Sequence, residues 1–214
     1  MRLPAVAILA ATVLSPSRIV FLGTDFSHAT FYDEHLVKEK SFKGEDPVSD
    51  LTESKVPDWN HQTAIYFADE APDFGWKNPE VDLGQSTIAN KTVTTNAIKT
   101  VAPAKTAVSQ LTPELLSSEV ENYVAKGSDE MGFLVMVDQI NKRHGVIIHC
   151  ILFNRGTGEV LFAERTTGNP GGYGIRNYYL NGLKPAIKKF MKDAKRRRPA
   201  TSSGDIGSGL RNTL

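Results

Sequence analysis

Cysteine is nearly absent from this sequence, since Cys150 is the only one among 214 residues. A lone cysteine excludes an intrachain disulfide, and it excludes structural zinc sites built from several cysteine ligands. The stability of the fold must therefore come from its core. Apolar residues make up 40% of the chain, which is enough for one sizeable core and predicts a single domain.

The short motifs of common catalytic and metal sites are also missing. The sequence contains no Gly-x-Ser-x-Gly, no His-Glu-x-x-His and no EF-hand calcium loop. We therefore predict no catalytic residue, no metal site and no cofactor. A hydrolase site assembled from distant residues leaves no such spacing, so a hydrolase remains the alternative function.

An excess of charge of either sign is absent as well, because 25 Lys and Arg residues face 24 Asp and Glu residues. Overall charge thus gives no argument for binding nucleic acid or membranes. The charges are unevenly placed, with thirteen acidic residues between Asp33 and Asp82 and eight basic ones between Lys184 and Arg198. We interpret these regions as two separate solvated faces, the alternative being that they attract each other. No aromatic residue interrupts Lys195–Arg198, so nucleic acid is not favoured as a partner.

The first seventeen residues have the pattern of a signal peptide. Met1-Arg2 is a short positive start, residues 3–14 are nearly all apolar, and small or turn-forming residues follow up to Ser17. The apolar run is too short to span a bilayer, and no other segment is suited to it. The sequence therefore predicts an extracytoplasmic protein, periplasmic or secreted, with no transmembrane segment after signal removal. The alternative is that this run forms a buried first element of a cytoplasmic protein.

Apolar spacing predicts an α+β domain over residues 18–198. The second half predicts a helix starting at Thr112-Pro113, three antiparallel strands at 131–140, 146–153 and 159–166, and a last helix at 175–195. The first half predicts a buried strand at 18–23, a helix at 47–68 interrupted at Pro57, a loop at 69–84 and a strand at 86–101. We expect a single domain, a mostly antiparallel sheet with helices packed on it, and a disordered tail at 199–214, which is rich in Ser, Gly and Thr.

The glycine-rich loop before the last helix is the candidate binding site. Helix N-termini present unpaired N–H groups and bind anions. The predicted ligand-binding residues are Gly171, Gly172, Gly174, Arg176, Asn177 and Tyr178. The alternative is a tight connection in which the glycines supply positive φ angles. The glycine spacing does not complete a dinucleotide fingerprint.

Three further groups of residues are candidate sites. Asp138, His144 and His149 have donor types that bind metals, provided that the strand places them on one face. Cys150 adjoins His149, but alternation along a strand turns the two to opposite faces, and apolar neighbours predict a buried, inert thiol. Five aromatic residues form either an exposed ligand platform or part of the core: Trp59, Trp76, Tyr173, Tyr178 and Tyr179.

Four short stretches resemble a group of small uncharacterised exported bacterial proteins: residues 19–27, 56–60, 153–161 and 171–179. More loosely, the order helix, strand, hairpin, strand, glycine loop, helix is similar to periplasmic lipoproteins that activate penicillin-binding proteins or assist curli secretion. That resemblance implies a non-enzymatic interaction domain at the cell envelope. The lipid-anchoring cysteine of those lipoproteins is missing here. We expect an exported binding or interaction protein without catalytic activity, whose partner is a protein or a small anionic ligand.

Overall fold

The computed structural model describes residues 18–32, 51–76, 78–93, 97–99, 109, 111–141, 144–172 and 175–197, with only the backbone at 98, 175, 176 and 197. The predicted signal peptide and the predicted disordered tail lie outside these residues. Tyr173 and Gly174 of the candidate binding loop lie outside them too.

Helices and strands alternate in the first half, and long strands dominate the second. The strands are β1 (Ile19–Asp25), β2 (Thr30–Tyr32), β3 (Glu80–Val81), β4 (Ile98–Lys99), β5 (Met131–Asn141), β6 (Gly145–Asn154) and β7 (Val160–Gly168). The α-helices are α1 (Val56–Glu70), α2 (Gly84–Asn90), α3 (Pro113–Val120) and α4 (Ile175–Arg197). A π-helical turn at Leu51–Lys55 leads into α1, and 3-10 turns at Ala71–Phe74 and Glu121–Tyr123 follow α1 and α3.

The sheet is built around β5. On one side, β1 and β2 lie end to end and parallel to β5, with Asp25 opposite Met136 and Thr30 opposite Gln139. The short strands β3 and β4 extend this side through parallel pairing with β1 and β2. On the other side, β6 and then β7 pair antiparallel along their length. Because the three longest strands are antiparallel, the predicted α+β domain with a mostly antiparallel sheet is confirmed.

Helices cover both faces of the sheet. On the first face, α1 and α4 enclose the main core, in which aromatic rings stack, such as Phe21 on Phe67 at 4.8 Å and Phe133 on Phe190 at 5.1 Å between centroids. On the second face, α3 covers a smaller cluster: Val20, Leu22, Leu111, Leu116, Val120, Tyr123, Leu134, Met136, Ile151 and Phe153. Burying apolar side chains on both faces supplies the main favourable free energy of this layered fold.

The predicted strand at 86–101 is largely wrong, because residues 84–90 form α2 and, among the residues of this range that the structure describes, only Ile98–Lys99 are strand. The buried side chains of α2 are polar, Ser86 and Asn90, so apolar periodicity does not reveal this helix. The predicted loop at 69–84 is also wrong in part, since α1 continues to Glu70 and a 3-10 turn follows. Near Pro57 the chain changes from a π turn to α-helix, which places the proline in the first turn of α1.

Candidate functional site

A β-bulge at Gly23 sets the direction of the side chains at the end of β1. Between Phe21 and Thr24, β1 has one residue more than the facing part of β5. Gly23 has a φ of 99°, and a Cβ there would lie 2.1 Å from Oγ of Ser86. Only glycine tolerates both this positive φ angle and this close approach of Ser86. The extra residue turns Thr24 towards α1 on the first face and Asp25 towards α3 on the second.

Side-chain amides from two helices bind the backbone beside this bulge. The Thr24 N–H donates to Oδ1 of Asn60 at 2.8 Å, and the Phe26 N–H donates to Oδ1 of Asn90 at 2.7 Å. Asn90 Nδ2 in turn donates to the Thr24 carbonyl at 2.9 Å. These bonds satisfy backbone groups that the irregular ladder leaves unpaired. They hold α1 and α2 against the end of β1.

A row of polar residues crosses the second face at the same level. Asp25 lies opposite Met136, Met136 opposite His149, and His149 opposite Arg165. Asp138 joins them at a second bulge, where β5 has one residue more than β6 between Val137 and Gln139. Asp25, Asp138 and His149 are 1%, 2% and 7% exposed. We call Asp25, Asp138, His149 and Arg165 the polar row.

At one end of the polar row, Asp25 binds the residues that follow α3. The Tyr123 hydroxyl donates to Oδ2 of Asp25 at 2.6 Å, and the Ser27 N–H donates to Oδ1 at 2.8 Å. Burial, followed by the nearby Asp25 charge, raises the pKa of Tyr123 well above its ordinary value. Tyr123 therefore remains a protonated donor at any physiological pH.

At the other end, Asp138 and His149 meet Ser109 and Arg165. His149 Nε2 lies 3.1 Å from Oγ of Ser109 and 3.9 Å from Oδ2 of Asp138, and Arg165 donates to the same oxygen at 3.4 Å. Burial acts to raise the pKa of Asp138, but its interactions with His149 and Ser109 and the Arg165 charge outweigh it. The pKa of Asp138 is therefore lowered, and its carboxylate is charged at neutral pH.

Ser109, His149 and Asp138 have the composition of a catalytic triad but not its geometry. In a triad the serine and the carboxylate bind different nitrogens of the histidine ring, whereas here both lie at Nε2. The Ser109 hydroxyl also accepts a bond from the Leu111 N–H at 3.1 Å. This arrangement fixes the backbone that precedes α3 rather than activating a nucleophile. Within the described residues, no three His, Cys, Asp or Glu side chains form a metal-binding group, and His144 lies in the turn before β6.

The predicted binding loop folds back on α4. The Gly171 N–H donates to the Tyr178 carbonyl at 3.2 Å, and Asn181 Nδ2 donates to the Gly171 carbonyl at 2.8 Å. Gly172 has a φ of 105° and is exposed. These features agree with the tight connection that we weighed against a binding site. Asn177 is also exposed.

Tyr178 is half-buried, with its ring 5.2 Å from that of Tyr179. Gly174 and the side chain of Arg176 lie outside the described residues. The binding role of this loop therefore stays a prediction.

The other sequence candidates lie in the core. Trp59, Trp76 and Tyr179 are at most 1% exposed, so they are core residues rather than a ligand platform. Cys150 is fully buried on the first face, while His149 lies on the second. Burial, with a smaller effect of Glu164, raises the pKa of the Cys150 thiol well above its ordinary value.

The acidic and basic regions of the sequence meet, although separate solvated faces were expected. The ammonium of Lys188 lies 2.7 Å from Oε2 of Glu70, and that of Lys195 donates to the Asp73 carbonyl at 3.1 Å. Both contacts are exposed, so their net contribution to stability is small. They nevertheless place the end of α1 and the 3-10 turn after it against the second half of α4.

Strand β7 has one edge that no other described strand pairs with. Its first face is covered by α4, through Phe162 on Phe190 and the Glu164–Lys189 ion pair at 2.7 Å. The side chains on its second face are exposed: Leu161, Ala163, Arg165 and Thr167. Leu161 is 51% exposed.

Sequence reasoning placed Asp138 and His149 near each other but missed Asp25, Tyr123 and Arg165 in the polar row. One local signal was present, namely the polar Thr24-Asp25 pair that ends an apolar strand after a glycine. Tyr123, which donates to Asp25, lies ninety-eight positions away, so its identity needs the sheet register.

Comparison with protein-family models, curated proteins and solved structures finds no match to this chain. Among the described residues, no helix is long and apolar enough to cross a membrane.

Proposed function

We propose that this chain is an exported protein, periplasmic or secreted, that binds a partner protein and has no catalytic activity. The observation that carries the proposal is the edge of β7, which no described strand covers. An exposed edge offers backbone N–H and C=O groups that pair with an extended segment of another protein. The expected partner is such a segment, added as a further strand.

The side chains beside this edge favour a specific contact. Leu161 and Ala163 offer a small apolar surface on the second face, and Arg165 follows with a positive charge. In strand addition, backbone bonds supply affinity and alternate side chains supply specificity. A partner strand with an apolar residue and an acidic residue two to four positions apart would match this pattern.

The predicted binding loop follows β7 directly in the chain and is the second candidate contact for the partner. Gly172 and Asn177 are exposed there. Changing Arg176 to Ala is expected to weaken partner binding with little loss of stability. An equal loss of binding and stability would indicate a purely structural role for this arginine.

The test of the β7 edge compares two apolar-to-lysine changes. Leu161→Lys is expected to weaken binding to an envelope protein isolated with the wild-type chain, because a lysine on an edge strand opposes strand addition. Ile88→Lys is the matched control, since Ile88 is 59% exposed on α2. Binding would be measured by titration of the isolated partner. Equal affinities of the two variants would refute the proposed surface.

Export has its own test. The guanidinium of Arg18, the residue after the predicted signal peptide, forms ion pairs with Glu80 and with Glu130, the latter at 3.6 Å. Mass spectrometry of the protein from its native cells is expected to show a mature N-terminus near residue 18. A chain that retains Met1 would contradict export through this signal.

A hydrolase remains the second candidate because Ser109, His149 and Asp138 come together from distant segments. The shared Nε2 contact argues against it, so we expect no labelling of Ser109 by a fluorophosphonate probe. Labelling of the wild-type chain that is lost in Ser109→Ala would support a serine hydrolase and contradict a purely binding role.

A further inference from the structure

A groove lies between the second half of α4 and the 3-10 turn after α1, and its walls are mostly basic. It is lined by Asp73, Phe74, Lys188, Lys192, Lys195 and Arg196. We call it the basic groove. The four basic residues follow a spacing of four, three and one along α4, which places them on one side of the helix. The core residues Ile187, Phe190, Met191 and Ala194 occupy the other side.

Most charges at the groove have partners, but one does not. Lys188 pairs with Glu70, Lys195 bonds a carbonyl oxygen of Asp73, and Arg196 lies 3.6 Å from Asp193. Lys192 lies between Lys188 and Lys195 on the helix, and no ion pair with it occurs among the described residues. Asp73 is the one acidic residue of the lining, and its charge acts on Lys188. Lys195 has a neutral carbonyl as its partner, so the uncompensated positive charge of the groove is concentrated at Lys192 and Lys195.

The helix dipole explains only part of this pattern. Cations near a helix C-terminus are stabilised by the dipole, but the effect falls off within the last turn. The described part of α4 runs to Arg197, so Lys188 and Lys192 both lie more than one turn from the end of the helix. The dipole therefore does not account for the placement of these two lysines beside the groove.

Phe74 gives the groove an apolar surface beside its cations. The ring is half-buried and packs against the main core, so it is held in place. An anion attached to an apolar body would contact the cations with its charge and Phe74 with its body. A plain inorganic anion would leave the ring unused.

We propose that the basic groove binds a phosphate group carried on an apolar or ring-shaped body. Lys192, Lys195 and Arg196 contact the phosphate oxygens, and Phe74 contacts the body. Lysine and arginine are the usual partners of phosphate oxygens. This site is separate from the β7 edge, because α4 lies on the first face of the sheet and the exposed side chains of β7 lie on the second.

The experiment uses two probes that share this chemistry. Phenyl phosphate represents a soluble ligand, and vesicles containing phosphatidylglycerol represent a lipid headgroup, with vesicles of phosphatidylcholine alone as reference. The wild-type chain is expected to bind one or both. Binding to phenyl phosphate alone would identify a soluble ligand, and binding to the anionic vesicles alone would identify a membrane surface.

Charge reversal locates the site. Lys192→Glu is expected to weaken binding about tenfold, a typical result of placing like charges together at a contact. Lys126→Glu is the matched control, because Lys126 is exposed in a turn after α3 and the change in net charge is identical. Circular dichroism would show that both variants are folded.

Two outcomes would overturn the proposal. One is that neither probe binds the wild-type chain. The other is that Lys192→Glu and Lys126→Glu weaken binding equally, since binding would then depend on overall charge alone. Neither outcome bears on the β7 edge.

Discussion

The bond between Tyr123 and Asp25 gives the sharpest stability prediction. Changing Tyr123 to Phe removes one hydroxyl and leaves the ring in the cluster under α3, so no cavity forms. Oδ2 of Asp25 loses a donor at 2.6 Å, and no other donor among the described residues reaches this oxygen, while Oδ1 keeps the Ser27 N–H. The carboxylate is 1% exposed, so water cannot readily replace the lost donor.

The expected loss in free energy of unfolding is about 2 kcal/mol, because hydrogen bonds to buried charged groups contribute about 1.5–3 kcal/mol. For a domain of this size, a loss of about 2 kcal/mol lowers the melting temperature by about 4–8 °C. A surface hydroxyl removed elsewhere should change stability by less than about 0.5 kcal/mol.

The assay is urea unfolding followed by circular dichroism, with the slope against urea required to stay constant. Tyr66→Phe is the control, since Tyr66 is only partly buried on α1. A double-mutant cycle with Asp25→Asn isolates the pairwise contribution, expected to be at least about 1 kcal/mol. Equal stabilities of Tyr123→Phe and Tyr66→Phe would refute the reasoning.

Two further predictions concern the bulges. The lowered pKa of Asp138 means that its charge stabilises the fold above the unfolded-state pKa of about 3.9, and that this stabilisation is lost as pH falls through the lower folded-state pKa. The difference in free energy of unfolding between pH 7 and pH 3, measured by urea unfolding, should therefore be smaller for Asp138→Asn than for the wild type. Equal differences would contradict this. Gly23→Ala should lower the free energy of unfolding by more than about 3 kcal/mol, because left-handed strain of about 1–2 kcal/mol is added to the displacement of Ser86. Gly127→Ala is the control, because Gly127 has a φ of 83° but open space around it, and this variant should show the strain alone. Equal losses in the two variants would show that the bulge is not closely packed.

The second half of the fold is predictable because its signals are local. Strands β5, β6 and β7 begin and end within two residues of the predicted bounds, since alternating or continuous apolar runs are bounded by glycine turns. The start of α3 is also local, because Thr112 accepts the N-capping bond from the Leu115 N–H as expected.

The first half is less predictable because its contacts are polar or distant. Helix α2 buries Ser86 and Asn90, whose partners are the Asn60 amide and the backbone of β1. A helix with a polar buried face has no apolar stripe to detect. Strands β3 and β4 have two residues each, which is too short for any periodicity.

The polar row was beyond sequence reasoning for a different reason. Asp25 and Tyr123 are ninety-eight positions apart, and they meet only because β1 pairs parallel with β5. A shift of one residue in that register would turn Asp25 to the other face. The bulges at Gly23 and Asp138 each shift the register by one residue. The sequence around either residue does not indicate which residue of the neighbouring strand then lies opposite.

The two bulges together explain how helices are held on both faces without a disulfide. The bulge at Gly23 places one polar residue on each face of the sheet, so Thr24 contacts α1 and Asp25 contacts the end of α3. At Asp138 the same irregularity supplies a carboxylate that, with His149, fixes the start of the α3 segment at Ser109. Asp25, Asp138 and His149 of the polar row thus hold α3 at both of its ends. The two proposed sites use exposed features instead, and the exposed side chains of β7 and the basic groove lie on opposite faces, so single substitutions can separate their effects.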